Sequence, residues 1–279
     1  MVELLVALPI AILAAAAAAA LIVRLARITR TQGAQLAAVR ELRHAHAVLR
    51  DDLEPLEARD LVTVSDSLIE IRAHLGVLHL CEQLSASTII VAVPMRTDDA
   101  WVFGVRRGDV ARIFGASVEP AAAPIEHYRR VAEPPQALGS GFCGASSTTI
   151  ARRFRLAFTD TQPPLAAGTP VLVQREVRYE HYRSGSSWWL GRRTRDGHSW
   201  EGIQPVAGPL LPPISRGMEV TPLDARGGPA LTDSAASIRV LFRTPRRGPL
   251  SQGAGMSIPA DSSTLDVVLR ATVSRRAAP

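Results

Sequence analysis

Catalysis needs nucleophiles, bases or metal ligands held at fixed spacing, and this chain offers few such sets. His44-x-His46 places two imidazoles two residues apart. On a helix, positions i and i+2 do not face each other, so the pair reads as one histidine inside a buried stripe and one outside it. The remaining histidines, His74, His79, His127, His181 and His198, are scattered, and neither a His-Glu-x-x-His motif nor a phosphate-binding loop is present. Gly139-Ser140-Gly141-Phe142-Cys143-Gly144 lacks the Gly-x-Ser-x-Gly spacing of a nucleophile elbow and reads as a glycine-rich loop. The acidic pairs Asp51-Asp52 and Asp98-Asp99 lack the regular oxygen spacing of a calcium loop. Arg107-Gly108-Asp109 spells an adhesion tripeptide, but its place between two apolar runs favours a hairpin turn. These residues predict no enzyme, no cofactor and no metal site.

The elements that would position any site begin with an apolar run. Leu4 to Val23 carries no charge over 20 residues. At about 1.5 Å per residue a helix of that length is about 30 Å long, the thickness of a bilayer core. A single membrane span is the expectation for residues 1–23. Glu3 stands at its edge, where a carboxylate is costly unless it has a partner or a function. Leu36, Val39, Leu42, His46, Leu49, Leu53 and Leu56 then recur at steps of three and four. They predict that an amphipathic helix continues through residues 24–57, limited by Pro55.

From about residue 60 the period changes to two. Leu61 to Val64 and Leu68 to Ile71 predict a hairpin around Ser65-Asp66-Ser67. Thr88 to Val93, Trp101 to Val105, Val110 to Phe114 and Arg155 to Phe158 read as strands. Residues 115–150 are rich in Ala, Pro, Gly and Ser and read as a long loop or insertion. Val171 to Tyr179, Trp188 to Leu190 and Trp200 to Val206 form a meander, and strands follow around Val240 and Val267. Residues 58–279 are thus expected to form one β-rich domain.

Composition narrows the partners. All 32 basic residues are arginine, and lysine and asparagine are both absent, a pattern of a GC-rich genome. The net charge is +6, but the arginines are dispersed and aromatics make up only 5% of the chain, so no nucleic-acid surface is expected. Two cysteines exclude a cysteine-rich zinc module.

Met1-Val2-Glu3-Leu4-Leu5-Val6-Ala7-Leu8 resembles the mature start of type IV pilins and pseudopilins, in which a Val-Glu pair precedes about twenty apolar residues. The order that follows is similar to that of minor pseudopilins of the J type: a helix, Leu-Val-Thr-Val-Ser-Asp-Ser-Leu-Ile-Glu-Ile-Arg, Cys81, the Tyr182-to-Arg193 turn and the closing strands. The resemblance implies an α+β, pilin-like fold, with a long N-terminal helix packed on an antiparallel β-sheet. It implies a non-enzymatic minor pilin or pseudopilin subunit of a type II secretion or type IV pilus-like filament, acting in assembly near the tip. Glu3 would pair with a neighbouring subunit's N-terminal amine and set the register, since a buried charge needs a partner. Partners would be other such subunits and the membrane, with no small-molecule substrate. The chain would sit in the cytoplasmic membrane with its sheet domain outside. There a disulfide between Cys81 and Cys143 is permitted, worth on the order of 3–4 kcal/mol, against the alternative of two buried free thiols. The competing expectation is a membrane-anchored extracytoplasmic binding or sensor module.

Overall fold

The computed structural model describes residues 2–93, 100–115, 125–143, 150–197, 199–245 and 261–268. For residues 2–14, 27, 31, 34, 35, 100, 125 and 261–268 the description is of the backbone alone. Helix α1 runs over Val2–Leu53. A 3-10 turn at Ala58–Asp60 leads into strands β1 (Leu61–Ser65), β2 (Leu68–Ser85) and β3 (Thr88–Val93). Then come β4 (Val110–Gly115), β5 (Ile125–Arg130), β6 (Gln136–Phe142) and β7 (Ile150–Ala157). The meander is β8 (Pro170–Ser184), β9 (Ser187–Asp196), β10 (Ser199–Trp200) and β11 (Gln204–Leu210). The chain closes on β12 (Met218–Leu223), β13 (Ser237–Thr244) and β14 (Asp261–Val268).

Eleven strands form one antiparallel sheet with the central order β10-β9-β8-β2-β3-β7-β6. Strand β1 pairs with β2, β11 with β9, and β4 bridges β5 and β8. A second sheet holds β12-β13-β14. The α+β, pilin-like expectation is therefore corrected: the fold is mainly β, and the helix is attached to it at one end. The physical reason lies in where the helix can bury side chains. Its last turns, from Leu42 onward, are covered, whereas Leu21, Ile22, Val23, Leu25, Ile28 and Leu36 are exposed. The architecture is set by two sheets, not by a sheet laid along a helix.

Two apolar cores follow from the alternation of strand residues. The first lies between α1, the middle of the large sheet and the second sheet, with Leu49, Leu53, Ile69, Ile71, Val177 and Phe242 among its members. The second lies farther along β2 and β3, around Leu78, Val91, Phe154 and Val173. Strand β2 serves both, because at 18 residues it is long enough to cross from one to the other. A bulge between His74 and Gly76 marks the crossing. Trp101 packs so closely on Gly76 that a Cβ there would sit 2.4 Å from the indole, so only glycine fits.

The Ser65-Asp66-Ser67 hairpin forms as expected, with Ser65 opposite Leu68. Trp101 to Val105 is not a strand; a 3-10 helix occupies Ala100–Gly104. That run alternates poorly, and burying Trp101 on Gly76 and Val102 in the second core suits a helical turn better than an extended one. Strands β5 and β6 lie inside the stretch that reads as loop. The hydrophobic alternation that marks other strands is missing in Ala137-Leu138-Gly139-Ser140-Gly141, because β6, paired only with β7, is exposed along nearly its whole length and has no core face to bury.

Cys81 and Cys143 form a disulfide with a Cα–Cα distance of 4.6 Å. It ties β2 to the end of β6 across a separation of 62 residues. We predict that neither thiol is alkylated in the native protein until a reductant is added. Replacing both cysteines by alanine should lower stability by about 3–4 kcal/mol, the loop-closure contribution of a link this long; urea unfolding of the two forms checks it.

Candidate functional site

The largest departure from ordinary burial is on the helix. From Ala15 to Ala26 every residue is exposed, including Leu21 at 62%, Ile22 at 65% and Leu25 at 53%. A Leu or Ile contributes about 1.5–3 kcal/mol when it moves from water to an apolar surrounding. Covering this stretch would therefore contribute several times that amount. Glu3 and Leu4, the start of the expected span, fall where side chains lie outside the described residues, and so do residues 5–14; Val23, its end, is exposed. Among the described residues no helix is long and apolar enough to cross a membrane.

The helix is mounted on the sheets by its last turns. Leu42, Ala45, Leu49 and Leu53 recur at steps of three and four and are all buried in the first core. Of the expected stripe, Leu36 and Val39 are exposed and His46 is half-buried against Phe242, with ring centroids 5.9 Å apart. Burial lowers the pKa of His46 from its ordinary value, so the ring tends to stay neutral. The mounting also has a polar lock. Tyr179 on β8 is fully buried and donates its hydroxyl to Asp52 Oδ2 at 2.5 Å. Arg192 on β9 donates to the same oxygen from Nε at 3.3 Å and from Nη2 at 3.2 Å. Burial, and then the negative charge of Asp52, push the Tyr179 phenol far up, so it stays a donor at any ordinary pH.

Beneath the helix end lies a buried ionic cluster. Pro55 follows the end of the helix, and the 3-10 turn carries Asp60 to a fully buried position. Asp60 Oδ2 lies 3.0 Å from His74 Nε2 and accepts the Glu57 N–H at 3.0 Å. Asp60 Oδ1 accepts Gln174 Nε2 at 2.8 Å and lies 3.8 Å from Arg112 Nη1. His74 and Gln174 are directly opposite on β2 and β8, so the sheet register delivers both donors together. Arg112, 1% exposed, donates Nη2 to Glu126 at 2.8 Å and to Glu57 at 3.1 Å, and its guanidinium lies over the Phe114 ring at 4.7 Å. Arg59 also binds Glu57, at 2.5 Å, and Glu126. Burial alone would raise the Asp60 pKa, but the bonds from His74, Glu57 and Gln174 outweigh it and hold the carboxyl below its usual value. Burial likewise pulls Arg112 down, and its carboxylate partners outweigh that too.

An Asp–His pair of this kind could orient a base, yet the described partners of His74 include no serine or cysteine for it to activate. Asp60 and Arg112 instead cross-link the 3-10 turn, β2, β4, β5 and β8. Nothing in the sequence singled out this cluster; the available signal was the alternation Glu70-Ile71-Arg72-Ala73-His74 on a strand, which puts charge on one face.

The other sequence candidates are dispersed. His44 is exposed, whereas His46 is half-buried. Asp109 of the Arg-Gly-Asp turn is buried, accepts the Arg106 N–H at 2.8 Å, and is gripped by Arg175 at 2.8 and 2.7 Å. It is a turn anchor and is not presented for adhesion, while Gly108 at φ +89° faces the Gly197 backbone. Gly139 to Phe142 belong to β6, not to a strand-to-helix elbow, and Gly144 lies outside the described residues, as do Asp98, Asp99 and His198. Among the described residues no three His, Cys, Asp or Glu groups converge on a metal position. No protein-family model matches the chain, and no curated protein or solved structure is significantly similar to it.

Two outcomes follow for the cluster. Arg112→Met should destabilise the fold by about 3–5 kcal/mol, because it leaves buried carboxylates without their cation. Asp60 has a folded pKa below its unfolded value of about 3.9, so its contribution is fully present above that pH and is lost as pH falls toward the folded pKa. Urea midpoints measured from neutral pH down through the carboxylate range should show that acid loss shrink in Asp60→Asn.

Proposed function

We propose that this chain is a non-enzymatic assembly subunit that works as minor pilins and pseudopilins do, entering a filament through its N-terminal helix. One observation carries the reading: an apolar helical stretch stands uncovered beyond a firmly mounted sheet body. Such a surface needs an apolar partner. Lipid of the cytoplasmic membrane covers it before assembly, and the helices of neighbouring subunits cover it afterwards, since either surrounding satisfies an apolar side chain. The sheet domain lies outside the cytoplasm, in keeping with the disulfide between Cys81 and Cys143, which an oxidising compartment permits. Glu3 pairs with the amine of a neighbour and selects one axial register, because an unpaired charge in an apolar bundle is costly.

The mounting fits this role. A helix that leaves one environment for another transmits load to its body, and here the join has both an apolar seat and the Asp52–Tyr179–Arg192 lock.

The test is incorporation. Glu3→Ala should abolish co-assembly with partner subunits while the protein still reaches the membrane. Ile22→Asp should weaken helix association and leave the thermal transition of the sheet domain unchanged, since Ile22 is exposed and touches no core. Disulfide trapping between cysteines placed at Ile22 in two copies reads the contact directly. Normal incorporation by Glu3→Ala would overturn the reading and favour a plain anchor for a binding module.

A further inference from the structure

Among the described residues β6 pairs with β7 alone, so its other edge is open. Edges of this kind are usually blunted by charged residues, by proline or by a cover. Gln136-Ala137-Leu138-Gly139-Ser140-Gly141-Phe142 holds no charge and no proline, so every residue keeps its N–H. A bulge lies between Ala137 and Gly139, and residues 139–142 then run in unbroken register against residues 153–150 of β7. The strand is also held without a core. It is exposed along nearly its whole length, so burial does not keep it extended. Its pairing with β7 does so, together with the disulfide just past its end, from Cys143 to Cys81 on β2. A segment already fixed in extended form lowers the ordering cost of pairing with another strand.

The two faces of this edge differ. Phe142 stands directly opposite Ile150, and the two are 56% and 45% exposed. Residues one position along the strand point to the other face. There β7 carries Arg153 and Arg155, and the Arg153 guanidinium reaches over β6 to Gly141, where a Cβ would sit 2.7 Å from its Cζ. No carboxylate of the described residues lies within ion-pair distance of Arg153, and Arg155 has only Glu133, at 3.6 Å between two exposed side chains. One face is thus apolar and the other cationic. We infer that β6 accepts an added strand from another protein, an extended segment in which acidic and apolar residues alternate. Main-chain bonds to residues 139–142 supply the attachment, and the alternation supplies the choice of partner. The acidic side chains face Arg153 and Arg155, and the apolar ones extend the patch of Phe142 and Ile150. A second copy of this chain fits less well, because pairing β6 with β6 places the Arg153 of each copy at the same seam.

The test uses the full chain in detergent micelles and a labelled short peptide of alternating Glu and Val. Fluorescence polarisation reads binding, and hydrogen exchange over β6 reads its place. The peptide should bind saturably and slow exchange in β6. A peptide of the same composition in two blocks, Glu then Val, lacks the two-faced pattern, and an alternating peptide N-methylated at every residue cannot pair. Each should bind more weakly by about tenfold or more, the loss of at least one good contact. Phe142→Ser, an exposed change, should weaken the alternating peptide about tenfold, as truncation of an aromatic anchor does. Arg153→Glu should reverse the charge preference, so that alternating Lys and Val then binds the tighter. The peptide controls leave the protein untouched and decide the matter even where a variant fails to fold. Equal binding of the block or N-methylated peptide, an unreversed preference in folded Arg153→Glu, or protection of β6 by self-association without peptide would each overturn the proposal.

Discussion

The carboxylate of Asp60 is the charge around which the helix and the large sheet are joined. It is fully buried, so it must be satisfied from every side or not be there at all. The donors come from four places: the turn after the helix, His74 on β2, Gln174 on β8 and Arg112 on β4. Each can reach it only if β2 and β8 keep their register and β4 lies along β8. A slip of one residue would carry His74 and Gln174 to the opposite face. The cluster thus adds little net stability of its own, since desolvation offsets much of the attraction, but it allows one arrangement of these elements.

That specified joint explains the division of the helix. Past Leu42 the helix has an apolar seat between two sheets, and its stripe is buried. Before that point the sheets approach it near Ala37, Ala38 and Glu41, beside Gly208, Pro209, Thr244 and Pro245, but Leu36, Val39 and the residues from Ala15 to Ala26 are left in solvent. The difference is one of geometry rather than of sequence character. Leu36 and Leu49 belong to one periodic stripe, and only the second has a sheet beneath it.

This also marks how far the sequence was legible. Strands with clean alternation, such as Thr88–Val93 and Val171 to Tyr179, could be placed because both their pattern and their pairing are local to the strand. The edge strand β6 could not, since it is exposed along nearly its whole length and buries no face that would impose alternation. The helix was legible as a helix, but the stripe along it did not reveal where its cover stops; that depends on sheets formed more than a hundred residues later in the chain. The Asp60 cluster was invisible for the same reason. Asp60 and Gln174 are 114 residues apart, and no spacing rule connects them.

The faces of the large sheet carry the argument one step further. On the side away from the first core, β8 presents Gln174, Glu176, Arg178 and Glu180, and β2 presents Glu70, Arg72 and His74. Nearly every charge there is already matched: Glu70 with Arg178 at 2.8 Å, Glu176 with Arg195 at 2.8 Å, Glu180 with Arg193 at 2.6 Å. Trp200 lies under the guanidiniums of Arg178 and Arg195, at 4.3 and 5.7 Å, which takes its apolar face out of play as well. A face whose charges are matched internally gains little by docking, because any partner must first displace bonds it can only replace. The sheet body is thereby made a poor apolar surface over this region, and the capacity for apolar association is concentrated on the exposed half of the helix.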